Sequence, residues 1–410
     1  MATSDLEHGS IDMTQESVQR LLDRVAKDHT YANQPPTIYM APSVLRDVSP
    51  SSFNPRVVSI GPLHKEDENV QAFEAQKANY VIDLMHRINP QHEETLKSCV
   101  NKAYASMTNI KACYVWTKTY GDDEIAEMMV MDACFILEFI LKTSLSFEQP
   151  YSGRSLLLAS VLHDLVLLEN QIPLFFLNAI FQCTASKILD PDISLIGFIL
   201  PILLTNNLFE VEIETNNISI DRSHHILCLL HECYAPQYYT NPTSTPFSSI
   251  QSVVNLDRVG INFKPNQNLT WVMGMEVELS RFPYFFGFWS KPTLRMPILK
   301  VHDSTEMLLR NLIAYEQSFQ TPNFVTSYAT AMDMLVNTEE DVAKLVDSSV
   351  IVNHMGSNKE AANMINSICK NVIIGEEFFY KEHWETLNKY CNSYWPKHIA
   401  KMRSTYFNSP

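Results

Sequence analysis

Apolar positions recur at helical spacing along most of this chain. In the polar tail of residues 1–35 they fall at Val18, Leu21, Leu22 and Val25, which predicts one short amphipathic helix over 15–27. Prolines and serines then break residues 37–64, TIYMAPSVLRDVSPSSFNPRVVSIGPLH, into extended and looped pieces, with a small strand at 57–60. Over 70–88, Phe73, Tyr80, Ile82, Leu84 and Met85 face one way and Glu74, Lys77 and Arg87 the other, the mark of an amphipathic helix. Helices over 93–120 and 122–143 follow. The second opens on Asp122, Asp123 and Glu124, acidic residues that suit a helix N-terminus. Its centre, MMVMDACFILEFIL, is apolar nearly all round, as in the central member of a bundle.

The stretch 161–176, VLHDLVLLENQIPLFF, reads as the next helix, ended by a bend at Pro173. It sets His163, Asp164, Glu169, Asn170 and Gln171 inside an apolar run. Burying Glu169 without a partner costs several kcal/mol by roughly the usual desolvation figure. The triplet is therefore either satisfied by partners elsewhere in the fold or faces a wet cavity. A further short helix is expected over 221–234. Residues 236–252, rich in Pro, Ser and Thr, read as a linker.

Beyond the linker the period changes. Segments 259–264, 271–278, 284–289 and 294–301 read as short strands of a small antiparallel sheet. Helices restart at Asp303, taken as an N-cap with Glu306 three residues later, and continue over 325–335, 338–345 and 359–372. A last long helix over 378–406 is expected to pack back on the first lobe. The prediction is a mainly α protein with a multi-helix lobe over 36–235. A second lobe over 253–410 carries a small antiparallel sheet and closing helices.

Composition narrows the function classes. Hydrophobic residues make up 46% and charged residues 19% of the 410, as in a globular protein rather than a disordered one. Only 10 glycines against 21 prolines argues against a glycine-loop nucleotide enzyme. A net charge of −15 disfavours nucleic acid and anionic membrane surfaces, both of which need a basic face. The eight cysteines form no Cys-x-x-Cys pair and read as reduced thiols of a cytoplasmic fold. The acidic N-terminus lacks the pattern of a secretory signal, and the longest apolar run, 193–204, is too short to span a bilayer. No cofactor motif is evident.

Four residues stand out as acid/base candidates. His163 beside a carboxylate suits a general base with its orienter, although the stronger reading has Glu169 and Asn170 bind loop backbone near Ile60, Gly61 and Pro62. Asp132 and Glu138 lie about 120° apart around a helix and do not form one carboxylate pair. Asp132 would pair instead with Lys77 or Arg56. Cys134 sits mid-helix in apolar company, where a thiol is inert. His302, Asp303 and Ser304 carry triad letters, but adjacent residues cannot take triad geometry. His224, His225 and His231 with Glu232 lack an evident third metal ligand. The aromatic run Phe282, Tyr284, Phe285, Phe286, Phe288 and Trp289 reads as a packed sheet face, an apolar ligand pocket or a partner surface.

The order of IYMAPSVLRDV, FNPRVVSIGPLH, MDACFILEFIL, LLENQIPLFFL, RMPILKVHDSTEMLLRNLIAYEQ, VTSYATAMDML and STYFNSP carries a family resemblance. It resembles, over residues 37–410, the plant-specific family catalogued as domain of unknown function 247. Ala133 stands where that family usually has Gly. Its members typically continue past the Tyr-Phe-x-x-Pro motif into a hydrophobic anchor, whereas this sequence stops at Pro410, so the resemblance implies a membrane only for a longer, anchored form. The family has no established catalytic residues to carry over, and some grass members are implicated in self-incompatibility. The resemblance thus implies a recognition or signalling protein acting through a protein partner. The alternative is a soluble, cofactor-free enzyme of plant specialised metabolism, with acid/base residues in an apolar pocket that takes a small molecule. A cavity of several hundred cubic ångströms (ligand sites run roughly 300–1,000 Å³) lined by His163 or Glu169 would mark the enzyme.

Overall fold

The computed structural model describes residues 15, 18 and 19, then 35–88, 92–147, 156–213, 215, 218–220, 222–237, 249–266, 271–279, 292–318, 321–375 and 377–392. As the spacing of apolar positions predicts, the chain is mainly α-helical, and one contiguous apolar core runs from Ile38 to Cys391.

Residues 35–61 run over the helices largely without regular structure of their own. Ile38 bridges to Tyr114, and Ser43–Arg46 makes one helical turn (α1). Segment 57–60 is not the strand its β-branched residues suggest, because side chains rather than a neighbouring strand take its backbone N–H groups. The helix expected over 70–88 is broken at Phe73 into Glu68–Gln71 (α2) and Glu74–Ile88 (α3). Phe73 turns inward there and meets Phe135 edge-on at 5.7 Å. The single helix expected over 93–120 is also two, His92–Ala105 (α4) and Met107–Ala112 (α5). Beyond it the chain straightens so that the Thr37 and Ile38 amides can donate to Cys113 O. Asp122–Phe147 (α6) starts on its three acidic residues, buries its centre on all sides and packs mainly against α3.

The run 161–176 does not form one helix. Leu156–Asp164 (α7) stops at Asp164, residues 165–173 form a buried loop, and Leu174–Cys183 (α8) begins after Pro173. Proline fits at this N-cap because its fixed φ suits the approach and no N–H is needed there. Leu195–Leu203 (α9) and Ile226–Cys233 (α10) complete the first half, the latter shorter than expected because His225 ends the loop as its cap.

Among the described residues the second half opens with Val253–Arg258 (α11) and carries five short strands: Asn262–Pro265 (β1), Glu276–Glu278 (β2), Thr293–Met296 (β3), Leu299–Val301 (β4) and Ile351–Asn353 (β5). The expectation of one antiparallel sheet needs correcting. Strand β3 lies between β1, which it pairs in parallel, and β2, which it pairs antiparallel. The segment expected as one strand, 294–301, is cut at Pro297, which cannot donate to a ladder. Its second piece, β4, pairs in parallel with β5. The aromatic run of residues 282–289, with the strand expected over 284–289, lies outside the described residues.

The closing helices are Thr305–Ser318 (α12), Phe324–Leu335 (α13), Glu339–Asp347 (α14), Asn358–Ile368 (α15) and Lys381–Asn392 (α16). Asp303 is not the cap expected of it. Helix α12 starts two residues later, and Thr305 Oγ1 accepts from the His302 amide at 2.9 Å. The described part of the last helix, α16, packs on β2, with Trp384 buried against Phe378 and Tyr380, and the remainder of the helix expected over 378–406 lies outside the described residues. No helix among the described residues is long and apolar enough to cross a membrane.

Candidate functional site

Ending α7 at Asp164 leaves the loop 165–173 in the core with backbone and side-chain polar groups that need partners. The loop finds them on the extended segment 41–64. Asp164 Oδ1 accepts from the Arg56 amide at 2.9 Å, and its Oδ2 from the amides of Val57 (2.7 Å) and Val58 (2.9 Å). Asn170 Oδ1 accepts from Ile60 N at 2.7 Å, while its Nδ2 donates to Val58 O and Asp164 O. Gln171 folds back within the loop, donating to Leu165 O and Leu167 O, and its Oε1 accepts from Leu227 N. Two of these side chains, Asp164 and Asn170, thus stand in for the strand that 57–60 lacks.

Two ionic centres flank these bonds. At the first, Glu169 Oε1 accepts from Ala41 N at 2.8 Å, and its Oε2 meets both the Arg46 guanidinium and His64 Nε2, the latter at 2.9 Å. His64 Nδ1 lies 2.7 Å from Asp67 Oδ2. Burial works against a charge on His64, but hydrogen bonds and charge from Glu169 and Asp67 outweigh it and raise its pKa above the usual value. A ring that donates from both nitrogens is the imidazolium. At the second, Lys77 Nζ reaches Asp132 Oδ1 at 2.7 Å, Glu74 at 2.6 Å and Ser59 O. Asp132 Oδ2 accepts from Gly61 N at 2.7 Å. Burial lifts Asp132 above the ordinary carboxylate range against the pull of Lys77 and the Gly61 amide.

Gly61 is required by this packing. Its φ is +76°, and a Cβ there would lie 2.5 Å from Gln171 O. Tyr114 holds the same carbonyl with a hydroxyl bond of 2.9 Å. One further residue, Asn311 of α12, ties the loop to the second half: its Oδ1 accepts from Leu168 N, and its Nδ2 donates to Ser52 O and Met307 O.

Glu169 and Asp132 are therefore brought into one polar knot, with both oxygens of each occupied. Of the two partners expected for Asp132, Lys77 is the one present, while Arg56 contributes its amide to Asp164. His163 and Glu138 are not part of the knot. His163 is half-buried; burial and then the nearby Arg56 charge lower its pKa, and the neighbouring Asp164 faces backbone rather than the ring. Glu138, on α6, pairs through Oε1 with Arg87 at 2.8 Å, and its Oε2 has no hydrogen-bond partner among the described residues. Burial raises its pKa, against Arg87. A cavity of about 10 Å³ between α6, α7, α9 and α10 is lined by Ile140, Leu162, Leu165, Ile199, Leu203 and Ile226 with Asn206. That is space for about one water, and neither His163 nor Glu169 lines it.

Two of the three histidines weighed as metal ligands, His225 and His231, have other partners. His225 Nδ1 caps α10 by accepting from Cys228 N, and burial pushes its pKa down to about 3. His231 Nε2 lies 2.9 Å from Glu316, which also receives the amides of Val325 and Thr326 at the start of α13. Among the described residues no group of three or more His, Cys, Asp or Glu side chains is set to hold a metal ion. Cys134 is fully buried, and its thiol pKa is raised well above the usual value by its hydrogen bond with Cys99 and by burial. Arg46, His64 and Asn311 escape a reading of the sequence, since each is a single polar residue with a partner far along the chain.

Two curated proteins of Arabidopsis thaliana are similar along most of the chain. UPF0481 protein At3g47200 is 26% identical over 91% of this chain and 81% of its own length. Putative UPF0481 protein At3g02645 is 22% identical over 95% of this chain and 88% of its own. No solved structure matches. The DUF247 family, described as plant protein of unknown function, matches residues 38–410, and the motifs it spans include those that build the polar knot. The chain belongs to this plant family, DUF247.

Proposed function

We propose that this protein is a recognition protein that works by binding another protein. The observation that supports it is an aliphatic ledge held open to solvent. Val44 of α1 is 56% exposed, and Ile373 and Ile374, in the turn after α15, are 77% and 45% exposed. Asn371 Nδ2 donates to Val44 O at 2.8 Å, which fastens the turn beside α1. Gln317 grips Ile373 at both its N–H and its C=O. Exposed aliphatic side chains on backbone fixed this firmly suit a partner surface. Two of the four acid/base candidates favour the same reading, because Glu169 and Asp132 have no oxygen free for a substrate.

Cross-linking of the full chain in plant extract, followed by mass spectrometry, names proteins linked to the ledge. The purified pair should then bind, and Ile373→Asp should weaken it at least roughly tenfold, the effect of about 1.4 kcal/mol, with the melting temperature unchanged. A metabolite turned over by the protein, with turnover abolished in His163→Ala or Glu138→Gln at unchanged melting temperature, overturns the reading in favour of an enzyme.

A further inference from the structure

His302, unable to join a triad with its sequence neighbours, stacks on a second histidine. The in-register pair Val301 and Asn353 closes the parallel ladder of β4 and β5, and a histidine follows each strand at once. The rings of His302 and His354 lie 4.2 Å apart between centroids, with their planes 4° from parallel. Both residues are exposed, so the pair is open to an ion from solvent. The backbone beneath them is fixed. His354 N donates to Val301 O at 2.9 Å, His302 N to Thr305 Oγ1 at 2.9 Å, and Met355 N to Asn353 Oδ1 at 3.0 Å. We propose that His302 and His354 form a two-histidine surface site for a divalent transition-metal ion, zinc or copper, with water in the remaining positions.

Imidazole is the side chain these ions favour. Metal–nitrogen bonds of about 2.0–2.1 Å set two nitrogens of a tetrahedral site roughly 3.3 Å apart. Parallel rings 4.2 Å apart are within about 1 Å of that spacing, a gap that turning two exposed side chains can close. A pair on fixed backbone also loses little conformational freedom when it binds. With two protein ligands the site is weaker and more open than an ordinary structural zinc centre. Of the charged residues that act on His302, Lys300 opposes a cation and Asp303 favours it. The chain's net charge of −15 adds to the second. A bound ion links the ends of β4 and β5, between which α12, α13 and α14 intervene along the chain.

Calorimetric titration of the metal-free full chain with zinc chloride, and separately with copper(II) chloride, tests the site. Copper should bind more tightly than zinc, in the usual order of divalent-ion affinities. His302→Ala and His354→Ala should each weaken the tightest binding event at least roughly tenfold, since losing even a group that supports a ligand costs that much. His224→Ala, which removes an exposed histidine elsewhere, should leave it unchanged. Paramagnetic resonance of bound copper(II) should show splitting from two imidazole nitrogens in the wild type and from one in either member of the pair's variants. Zinc should raise the melting temperature of the wild type and not of these two variants, a difference that a merely structural stack would not produce. If an alanine variant lowers the metal-free melting temperature, His302→Gln and His354→Gln replace it as probes. Affinity unchanged in either variant of the pair, or no copper bound below millimolar concentration, overturns the inference. Weakening by His224→Ala with the pair's variants unaffected assigns the ion elsewhere and overturns it as well.

Discussion

Glu169 and Glu316 are both buried carboxylates that receive backbone amides, yet they organise the chain on different scales. Glu316 takes the amides of Val325 and Thr326, nine and ten residues away, and so caps the helix that follows its own. Its one distant partner is His231. Glu169 takes Ala41 N, Arg46 and His64, all more than a hundred residues earlier, and sits in a knot with Asp164 and Asn170 that reaches equally far. The first is a local helix device. The second is a clamp that replaces a β-ladder, and it uses charge because a segment with no strand neighbour has no backbone acceptors to rely on.

Removing each carboxylate separates the two roles. Glu169→Ala should cost about 3–5 kcal/mol, since it leaves Arg46, His64 and the Ala41 amide buried or half-buried without their acceptor. Glu316→Ala should cost no more than about 2 kcal/mol, the loss of a helix cap. Urea midpoints at unchanged slope measure both. Equal losses would erase the distinction.

Gly61→Ala is the next largest. Positive φ and the approach to Gln171 O together should cost about 1–3 kcal/mol, read as a lower melting temperature with α6 intact by circular dichroism. A neutral outcome would mean that the segment 58–61 can lift off without weakening the fold.

The smallest effect is the pH dependence. Since His64 has a raised pKa in the folded state, its stabilisation is complete below about pH 6.5, the unfolded value, and is lost as pH climbs through the folded value. His225 works in the opposite sense. Its folded pKa of about 3 means that the unfolded chain takes up a proton the folded one refuses, so acidification from about 6.5 toward 3 destabilises the protein. Denaturation series from pH 5 to 8 should therefore show His64→Gln losing the decline above neutrality while keeping the acid limb. If His64→Gln leaves the alkaline limb as steep as in the wild type, the imidazolium bridge between Glu169 and Asp67 is not what ties residues 64–67 to the loop.

The sequence reveals helices wherever one face or all faces are apolar over three turns. Helix α6 follows from its periodicity and acidic start, and α12 to α15 from theirs within a few residues. The loop at 165–173 is hidden because a buried loop and a buried helix present the same apolar letters. What distinguishes them is whether Asp164 and Asn170 find amides outside their own segment. The pairing of β1 with β3 is hidden for the same reason, as parallel strands are set by partners far along the chain. Of the candidate site, the Lys77–Asp132 pair and the grip of Asn170 on Ile60 follow from polar residues in apolar runs that need partners. Arg46 and His64 do not, because nothing local marks which carboxylate they serve.

The clamp also imposes an order of events on synthesis. Segment 56–60 leaves the ribosome long before its acceptors, which stand 106–110 residues later. At typical translation rates that gap is roughly 5–20 s. Throughout it, a β-prone stretch with unpaired amides has no place to dock. Nascent chains stalled before residue 164 should therefore be the form of this protein most in need of a chaperone, and those stalled beyond residue 171, once that loop has emerged, much less so.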